Sequence, residues 1–569
     1  MRNLILCTLS TFALLLYPLS LSAQVATTPS PDFDGDEVVG FTDFLLFAGV
    51  FGSREGQENY DAKYDLDGNG EIGFTDFLIF VDNFGKKISP QVAIPDANLR
   101  AAIEDSLDKA SGAPITRDDM STLTRLEAPN ANISDLTGLE FATGLTWLDL
   151  GEEVVNGVGN NSNKISNLSS LSGLTNLTYL NLRRNEISDI SALSNLTNLT
   201  YLNLSFNEIS DVSALSNLTN LKFLSFSFNK VSDVSVVSNL TGLTELAFGS
   251  NMISDSDVSV VSNLTSLKTL WLYSNNISDV SVVSNLTNLT TLYLYDNNIS
   301  DISPLAGLTK LDSLYLSNNS ISDVSALSNL TNLTTLSFFN NSISDITPLS
   351  GLTNLTTLSL PSNSISDITP LSGLTNLTRL TLFNNSISDI SSLSGLTSLE
   401  TLVLDTNFIS NVSALSDLTN LETLVLSNNV VLDVSALSIL TSLKTLYLSE
   451  NSISDISPLA GLTNLTVLWL HSNAFSDISP LVGLTNLAVL DLQNSGISDV
   501  SLLSGLTNLE SLYLNLNSIS DIIPLAGLTN LENLRLRSND ISNIGPLVAN
   551  TGLDSGDEVG DIVKCCGWV

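Results

Sequence analysis

Cysteine is nearly missing from this chain: Cys7, Cys565 and Cys566 are the only three in 569 residues, and they sit at its two extremes. No disulfide framework and no zinc site can be assembled from them. Basic residues are scarce too, with 21 Lys and Arg against 59 Asp and Glu and a formal charge of −38. Nucleic acid and anionic lipid both need a positive surface, so neither is expected as a partner. There is a single histidine, His471. With no usable cysteine nucleophile and no paired carboxylates outside a repetitive aspartate series, an active site has no components, and a non-enzymatic chain is expected. Long apolar runs are confined to the beginning. Residues 1–23 combine Arg2, an apolar stretch from Leu4 to Leu16, Pro18 and a small-residue end at Ser22 and Ala23. That is the layout of a secretory signal peptide, with an uncleaved membrane anchor as the rival reading. The mature chain is expected to be secreted or at the cell surface, with residues 24–31 as a linker.

What is abundant is repetition. An asparagine returns every 22 residues inside Leu-x-x-Leu-x-Leu-x-x-Asn-x-Ile, at Asn163, Asn185, Asn207, Asn229 and Asn251, then after a two-residue insertion from Asn275 to Asn539. Only Ser495 interrupts the series, and Ala131 occupies its first position. A unit this short cannot bury its own apolar face and is stable only when stacked, so residues 131–550 read as one α/β solenoid with a concave parallel sheet. In the Asn185 coil, Leu180 and Leu182 alternate along a strand, and Ile187, Ile190, Leu193 and Leu196 continue the core. The asparagine amide satisfies backbone groups where the chain leaves the strand. On the convex side the pattern predicts a short helical turn with Ser or Thr as cap and Pro at its first position, as in Ser303-Pro304 and Thr347-Pro348. The Asp of the Ile-Ser-Asp step (Asp189, Asp211, Asp279, Asp301, Asp345) reads as a turn residue. The 19 registers give a sheet roughly 90 Å along its stacking axis. The frequent Asn-Leu-Thr triplets, such as 195–197, match the glycosylation sequon but fall out of the repeat consensus.

Strand alternation sends the residues six, four and two before each asparagine to the concave face. Every tyrosine after residue 90 lies there: Tyr179, Tyr201, Tyr273, Tyr293, Tyr295, Tyr315, Tyr447 and Tyr513. So do Trp147, Trp271, Trp469, His471, Phe223, Phe339 and Phe383. Aromatics suit strands in any case, but propensity does not explain why Thr357, Ser359, Thr401, Val403, Thr423 and Val425 fill the same positions later. From Trp147 to Phe339 an aromatic stripe is expected as a ligand-binding patch. A smaller group comprises Tyr447, Trp469 and His471. The Gly/Asn-rich insertion of ten residues between Leu150 and Lys164 is expected to form a wall beside Trp147.

Ahead of the repeats, residues 32–85 carry a pattern duplicated at a 33-residue offset. A hard cation takes six or more oxygens at loop positions 1, 3, 5, 7 and 12, with a sharp turn at position six. Asp65, Asp67, Asn69, the Glu71 carbonyl and Asp76 fit, with Gly70 at the turn. Asp32, Asp34, Asp36, the Val38 carbonyl and Asp43 fit likewise, but Glu37 replaces the turn glycine, so this first calcium site is expected to be weaker or distorted. Each loop runs into an apolar stretch suited to a short helix, giving a small all-α domain.

The duplication and the closing Asp, in place of the Glu of ordinary EF-hands, resemble a type I dockerin. That resemblance implies docking onto a cohesin-like module, with Phe41, Thr42, Phe74 and Thr75 contributing to partner choice; a calcium-stapled spacer without a partner is the competing reading. Residues 86–130 contain the helical pattern Ile94-Pro-Asp-Ala-Asn-Leu, with Leu99, Ile103 and Leu107 on one side. Followed by Ile133-Ser-Asp-Leu-Thr-Gly-Leu-Glu140, it resembles the amino-terminal cap of the internalins, whose 22-residue repeats also match. The resemblance implies a leucine-rich-repeat horseshoe over roughly residues 91–550 and recognition or adhesion through the concave face, toward an extracellular protein or glycan. A calcium module before the cap departs from the internalin pattern, so host-cell invasion is not implied. The alternative is an accessory component of a cohesin–dockerin polysaccharide-degrading complex. Residues 551–569 lose the pattern abruptly and read as an irregular tail, either an incomplete lid or a premature end.

Overall fold

The computed structural model describes residues 30–152, 162–548, 550 and 553. The expected signal peptide, most of the linker, most of the Gly/Asn-rich insertion and the tail cysteines lie outside the described residues. The chain divides into two compact units, residues up to 93 with 112–120, and residues 94–111 with 121 onward.

In the first unit, α1 (Phe41–Val50) and α2 (Phe74–Asn83) each follow one acidic loop. Their core is aromatic: Phe47 and Phe80 stack at 5.6 Å, and Phe33 lies 6.0 Å from each. The duplication is crossed. The first loop bonds to the segment after α2, with Val39 N donating to Lys86 O at 3.1 Å and Ile88 N to Glu37 O at 2.9 Å. The second loop bonds to the segment after α1, with Ile72 N donating to Ser53 O at 2.9 Å and Gly52 N to Ile72 O at 2.7 Å. Each acidic loop is therefore held by the tail of the other repeat's helix.

The second unit opens with α3 (Ala97–Ser106), which buries Leu99 and Ile103 completely. Asp96 caps it by accepting from Asn98 N and Leu99 N, both at 3.0 Å, and its other oxygen takes Ser134 N at 2.8 Å. One carboxylate thereby joins the lid to the first coil. From β1 (Arg125–Glu127) to β19 (Asn533–Arg535) the described residues form nineteen three-residue strands in one parallel sheet, each paired with the next in sequence. The leucines and isoleucines expected inside are there: Leu180, Leu182, Ile187, Leu193 and Leu196 have no exposed surface.

The asparagines form the expected ladder. Asn297 Nδ2 donates to Leu294 O at 3.1 Å in its own coil and to Leu272 O at 3.0 Å in the preceding one, while its Oδ1 accepts Ile277 N at 3.1 Å. The same three bonds recur at Asn385, Asn407 and Asn429. Just before each asparagine position, from Arg184 to Ser538, the backbone is left-handed with φ between 48 and 59°. Non-glycine residues adopt this conformation reluctantly, and Asn, Asp and Ser are frequent here. A second, exposed ladder uses the later Asn of the Asn-Leu-Thr-Asn segment: Asn198 Nδ2 donates to Thr175 O at 2.8 Å and Asn332 Nδ2 to Thr309 O at 2.8 Å.

One expectation for the convex side is corrected. The turns are 3-10, as at Ser303–Gly307, and Ser303 does not cap its own turn. Its N–H is instead the donor, taken by Asp301 Oδ1 at 2.8 Å; Asp189, Asp211, Asp279 and Asp345 repeat this bond. A carboxylate two residues upstream makes an Asx turn, leaving the hydroxyl side chain outside the capping role. Bonds from Ser191 hold the Asp189 carboxyl below its ordinary value.

Replacing Asn297 by Leu leaves the Ile277 N–H without a partner and the Leu272 and Leu294 carbonyls with only the amides of Asn275 and Asn319, and should cost about 2 kcal/mol, read as a fall in the urea midpoint. Ser495→Asn should act oppositely. Phe475 N–H stands where Ile453 N–H donates to Asn473 Oδ1 at 3.0 Å, and among the described residues no acceptor meets it. Restoring the amide should stabilise by about 1 kcal/mol; a loss of stability would contradict this account of the ladder.

Candidate functional site

Strand register places the outward side chains in columns, because each residue pairs with its counterpart one coil on. In one column Trp147, Tyr179, Tyr201 and Phe223 are consecutive partners. Their rings stack at 3.5, 4.3 and 4.3 Å within 10° of parallel. The Arg125 guanidinium closes the stack, 4.1 Å from the Trp147 ring. In the neighbouring column Trp271, Tyr293 and Tyr315 stack at 5.6 and 4.5 Å, and beside them Tyr273 and Tyr295 stack at 4.7 Å. Strand spacing of ~4.8 Å imposes such distances on any ring repeated at one position. All these rings are half-buried on the outward face, none in the leucine core.

The rings do not make the single stripe expected from Trp147 to Phe339. The coil holding Glu245, Ala247 and Gly249 has no outward ring, so two stacks result, displaced by one column. Gly249 leaves room for Tyr273 to lean back over this coil; a Cβ on it would stand 2.6 Å from the tyrosine ring. Tyr273 thereby comes 6.0 Å from Phe228, which stacks on Phe206 at 4.1 Å under the Arg183 guanidinium. Phe206 and Phe228 extend the second group of rings along the sheet margin, while the Asn203, Ser205, Ser225 and Ser227 columns separate them from Tyr201 and Phe223. Phe206 and Phe228 occupy the left-handed position before the asparagine, outside the alternating positions, and their signal was an aromatic where other coils carry Ser or Asn. Phe339 stands apart, separated from Tyr295 by Ser317 and 6.2 Å from Phe383.

Burial raises the hydroxyls of this face. Tyr179, Tyr201, Tyr273 and Tyr293 are all pushed up by desolvation first, and Tyr295 is pushed up to about 12 by burial and then by Tyr273 and Asp296. Desolvation also raises Asp149, which accepts from Asn181 Nδ2 at 2.9 Å beside the first stack. Further along, Tyr447 stacks on Trp469 at 4.5 Å, with His471 6.5 Å from the indole.

In the first unit the acidic loops gather as the spacing predicts. Carboxylate oxygens of Asp32, Asp34, Asp36 and Asp43 lie within 4.8 Å of one another, as do those of Asp65, Asp67 and Asp76. Asn69 joins the second group, its Nδ2 donating to Asp67 at 2.8 Å. The closing aspartates do two jobs. Asp43 and Asp76 are fully buried at the starts of α1 and α2, and each accepts the N–H of the preceding glycine, Gly40 or Gly73, at 2.7 Å. The distortion expected at Glu37 is not found: its φ of 67° reproduces the turn that Gly70 makes at 83°. Salt bridges on the crossed segments help hold the loops, Lys87–Glu37 at 3.5 Å and Arg54–Glu71 at 3.0 Å. Val38 and Glu71 keep the position-seven place in their loops. Phe41, Thr42, Phe74 and Thr75 are exposed at the helix starts, the two phenylalanines by 68 and 67%.

A sheet built from coils of one strand and one 3-10 turn, stacked on leucines and an asparagine ladder, defines a leucine-rich-repeat solenoid. The family model for leucine-rich repeats in two copies matches residues 175–217, 197–241, 287–329, 331–373, 375–417, 419–461, 441–483 and 485–528, and the chain belongs to this family. Among solved structures, an internalin (inlF) of Listeria monocytogenes is 34% identical, covering 67% of this chain and 96% of its own, with a TM-score of 0.48. The functional domain of InlJ from the same organism is 27% identical over 72% of this chain and 83% of its own, with a TM-score of 0.53. The Arabidopsis receptor kinase HAESA, solved with the peptide hormone IDA and the co-receptor SERK1, is 26% identical over 66 and 72%, with a TM-score of 0.54. No curated protein matches the chain.

Tyr60 reports on the second acidic loop. Its hydroxyl donates to Asp65 Oδ2 at 2.8 Å, and that bond pushes its pKa up to about 12. In an absorbance titration, Tyr60→Phe should remove one late tyrosinate transition near this value. Loss of a transition near the ordinary ~10 instead would show that the bond is absent.

Proposed function

We propose that this chain is an exported, non-enzymatic binding protein whose outward sheet face captures an extracellular protein through its ring stacks, while the amino-terminal unit serves as a calcium-stapled attachment module. The observation that carries the reading is the pair of contiguous stacks, the second of them extended through Tyr273 to Phe228 and Phe206. Rings locked against one another present large apolar area with polar tips and little side-chain entropy left to lose, the properties of binding hot spots. HAESA, in complex with a peptide hormone, supports a protein or peptide as the kind of ligand such a solenoid takes. Export is supported by the leader-like first residues, and no described helix is long and apolar enough to cross a membrane.

Screened against displayed extracellular protein domains, the chain should select a ligand whose affinity falls at least about tenfold (~1.4 kcal/mol) in the double change Tyr293→Ala with Tyr295→Ala. The melting temperature should hold. Unchanged affinity would remove this face from consideration.

The donor sets of the first unit fit calcium. They offer hard oxygens only, from four carboxylates at Asp32, Asp34, Asp36 and Asp43, and from Asp65, Asp67, Asp76 and the amide of Asn69, with the Val38 and Glu71 carbonyls as the position-seven ligands. A bound divalent cation would relieve the mutual repulsion of these groups and staple both crossed segments. The helices that follow leave Phe41, Leu45, Phe74 and Leu78 at least half exposed, beside a pocket of about 350 Å³ lined by Phe44, Phe47, Phe51, Phe74 and Phe77. An exposed apolar face on a calcium-held unit favours attachment to a cohesin-like module over a bare spacer. Calorimetric titration of the full chain with calcium chloride should find two sites, and Asp65→Asn with Asp67→Asn should leave one. Two sites remaining after that change would rule out the second loop.

A further inference from the structure

The column that holds Trp271, Tyr293 and Tyr315 continues through Tyr447, Trp469, Asp491, Tyr513 and Arg535 in five consecutive coils. Here the aromatics are not contiguous. Tyr447 and Trp469 stack at 4.5 Å and 14°, and beyond Asp491 the Arg535 guanidinium lies 5.1 Å from the Tyr513 ring centre. A ring stacked on a partner one strand away faces along the stacking axis, so Trp469 and Tyr513 turn their faces toward each other across Asp491. Each wall is backed, one by Tyr447 and the other by Arg535. Asp491 forms the floor, only 5% exposed. Gln493 fixes its carboxylate with the backbone N–H at 3.0 Å and with Nε2 at 3.1 Å to both oxygens, and Gln493 Oε1 takes Asn515 Nδ2 at 2.8 Å. Those bonds use three of about four acceptor directions on the carboxylate, leaving one on Oδ2.

We infer that this slot binds a single pyranose ring of a glycan, at a site separate from the ring stacks of the proposed protein-binding face. Two strand spacings set the walls roughly 9–10 Å apart. Two carbon–carbon contacts of about 3.5–4 Å each leave roughly 2 Å for the ligand's own thickness, which a puckered saturated ring fills and a flat base or phenyl ring does not. The C–H faces of the sugar meet the electron-rich faces of the indole and phenol. Its hydroxyls, which must be paired on leaving water, meet Asp491 and the amides of Gln493 and Asn515. The chain's charge of −38, with a carboxylate as the floor, disfavours a phosphate-bearing ligand. The same coil departs from the repeat once more, with Ser495 in the asparagine position and Gly496 at a φ of 72°. Elsewhere on this face the stacked rings of Trp147 to Phe223 and of Trp271 to Tyr315 stand 3.5–5.6 Å apart and admit nothing between them.

The test is saturation-transfer NMR on the full chain with methyl β-D-glucopyranoside, methyl β-D-galactopyranoside and methyl α-D-mannopyranoside, and benzamide as the flat control. At least one pyranoside should bind saturably, with transfer to its ring C–H groups. Trp469→Ala should weaken it about tenfold, and Asp491→Tyr, which fills the slot with a ring as at Tyr293, should abolish it without lowering the melting temperature. The double change Tyr293→Ala with Tyr295→Ala should leave it intact, separating this site from the proposed protein-binding face. Should Trp469→Ala fail to fold, Asp491→Tyr still decides. No saturable binding of any of the three, binding that survives Asp491→Tyr, or benzamide binding as tightly as the best pyranoside would overturn the inference.

Discussion

The structure depends on a buried amide that serves two coils at once. Each ladder asparagine donates to a carbonyl of its own coil and to one of the coil before, and accepts an N–H from that preceding coil, as Asn297 does with Leu294, Leu272 and Ile277. The polar groups it joins are stranded where the chain turns off the strand into a core of leucine, and without a partner each would carry the desolvation cost of a lost hydrogen bond. Because these bonds cross between coils, they fix register as well as stability. The left-handed residue before each asparagine is part of the same device, turning the chain so that the amide points inward.

Fixed register is what turns isolated side chains into surfaces. A tyrosine on a lone strand is an exposed ring; at one position of successive coils it becomes a stack with the spacing of the sheet. The chain uses this in two ways. Contiguous rings, from Trp147 to Phe223 and from Trp271 to Tyr315, close against one another into flat apolar area. A single recessed aspartate between Trp469 and Tyr513 opens a gap of two strand spacings with a polar floor. One scaffold thus presents different chemistry through substitutions that leave the leucines and the ladder untouched.

Much of this was legible in the sequence because the period multiplies every signal. Nineteen strands, the inward leucines, the ladder, the turn-forming aspartates and the outward positions of the tyrosines all follow from one repeated pattern. What was not legible depended on depth or on contacts between distant segments. Phe206 and Phe228 lie at a left-handed residue, where the alternation that places strand side chains no longer applies. The gap at Glu245, and the way Tyr273 leans over Gly249 toward Phe228, require knowing which columns are neighbours. Asp491 resembles any polar strand residue until its burial and its bonds to Gln493 are seen. The crossed pairing of the acidic loops joins segments that no local pattern connects, and the left-handed Glu37 shows a turn held by those long-range bonds where a glycine was expected.

Hydrogen exchange resolved to single amides tests the central claim most directly, since the ladder assigns a specific acceptor to one N–H in each coil. Slow exchange is predicted at Ile277, Ile365 and Ile409, each donating to the asparagine of the next coil, with a local maximum in rate at Phe475, where Ser495 leaves the acceptor position unfilled. Fast exchange at those isoleucines, or protection of Phe475 equal to theirs, would contradict it.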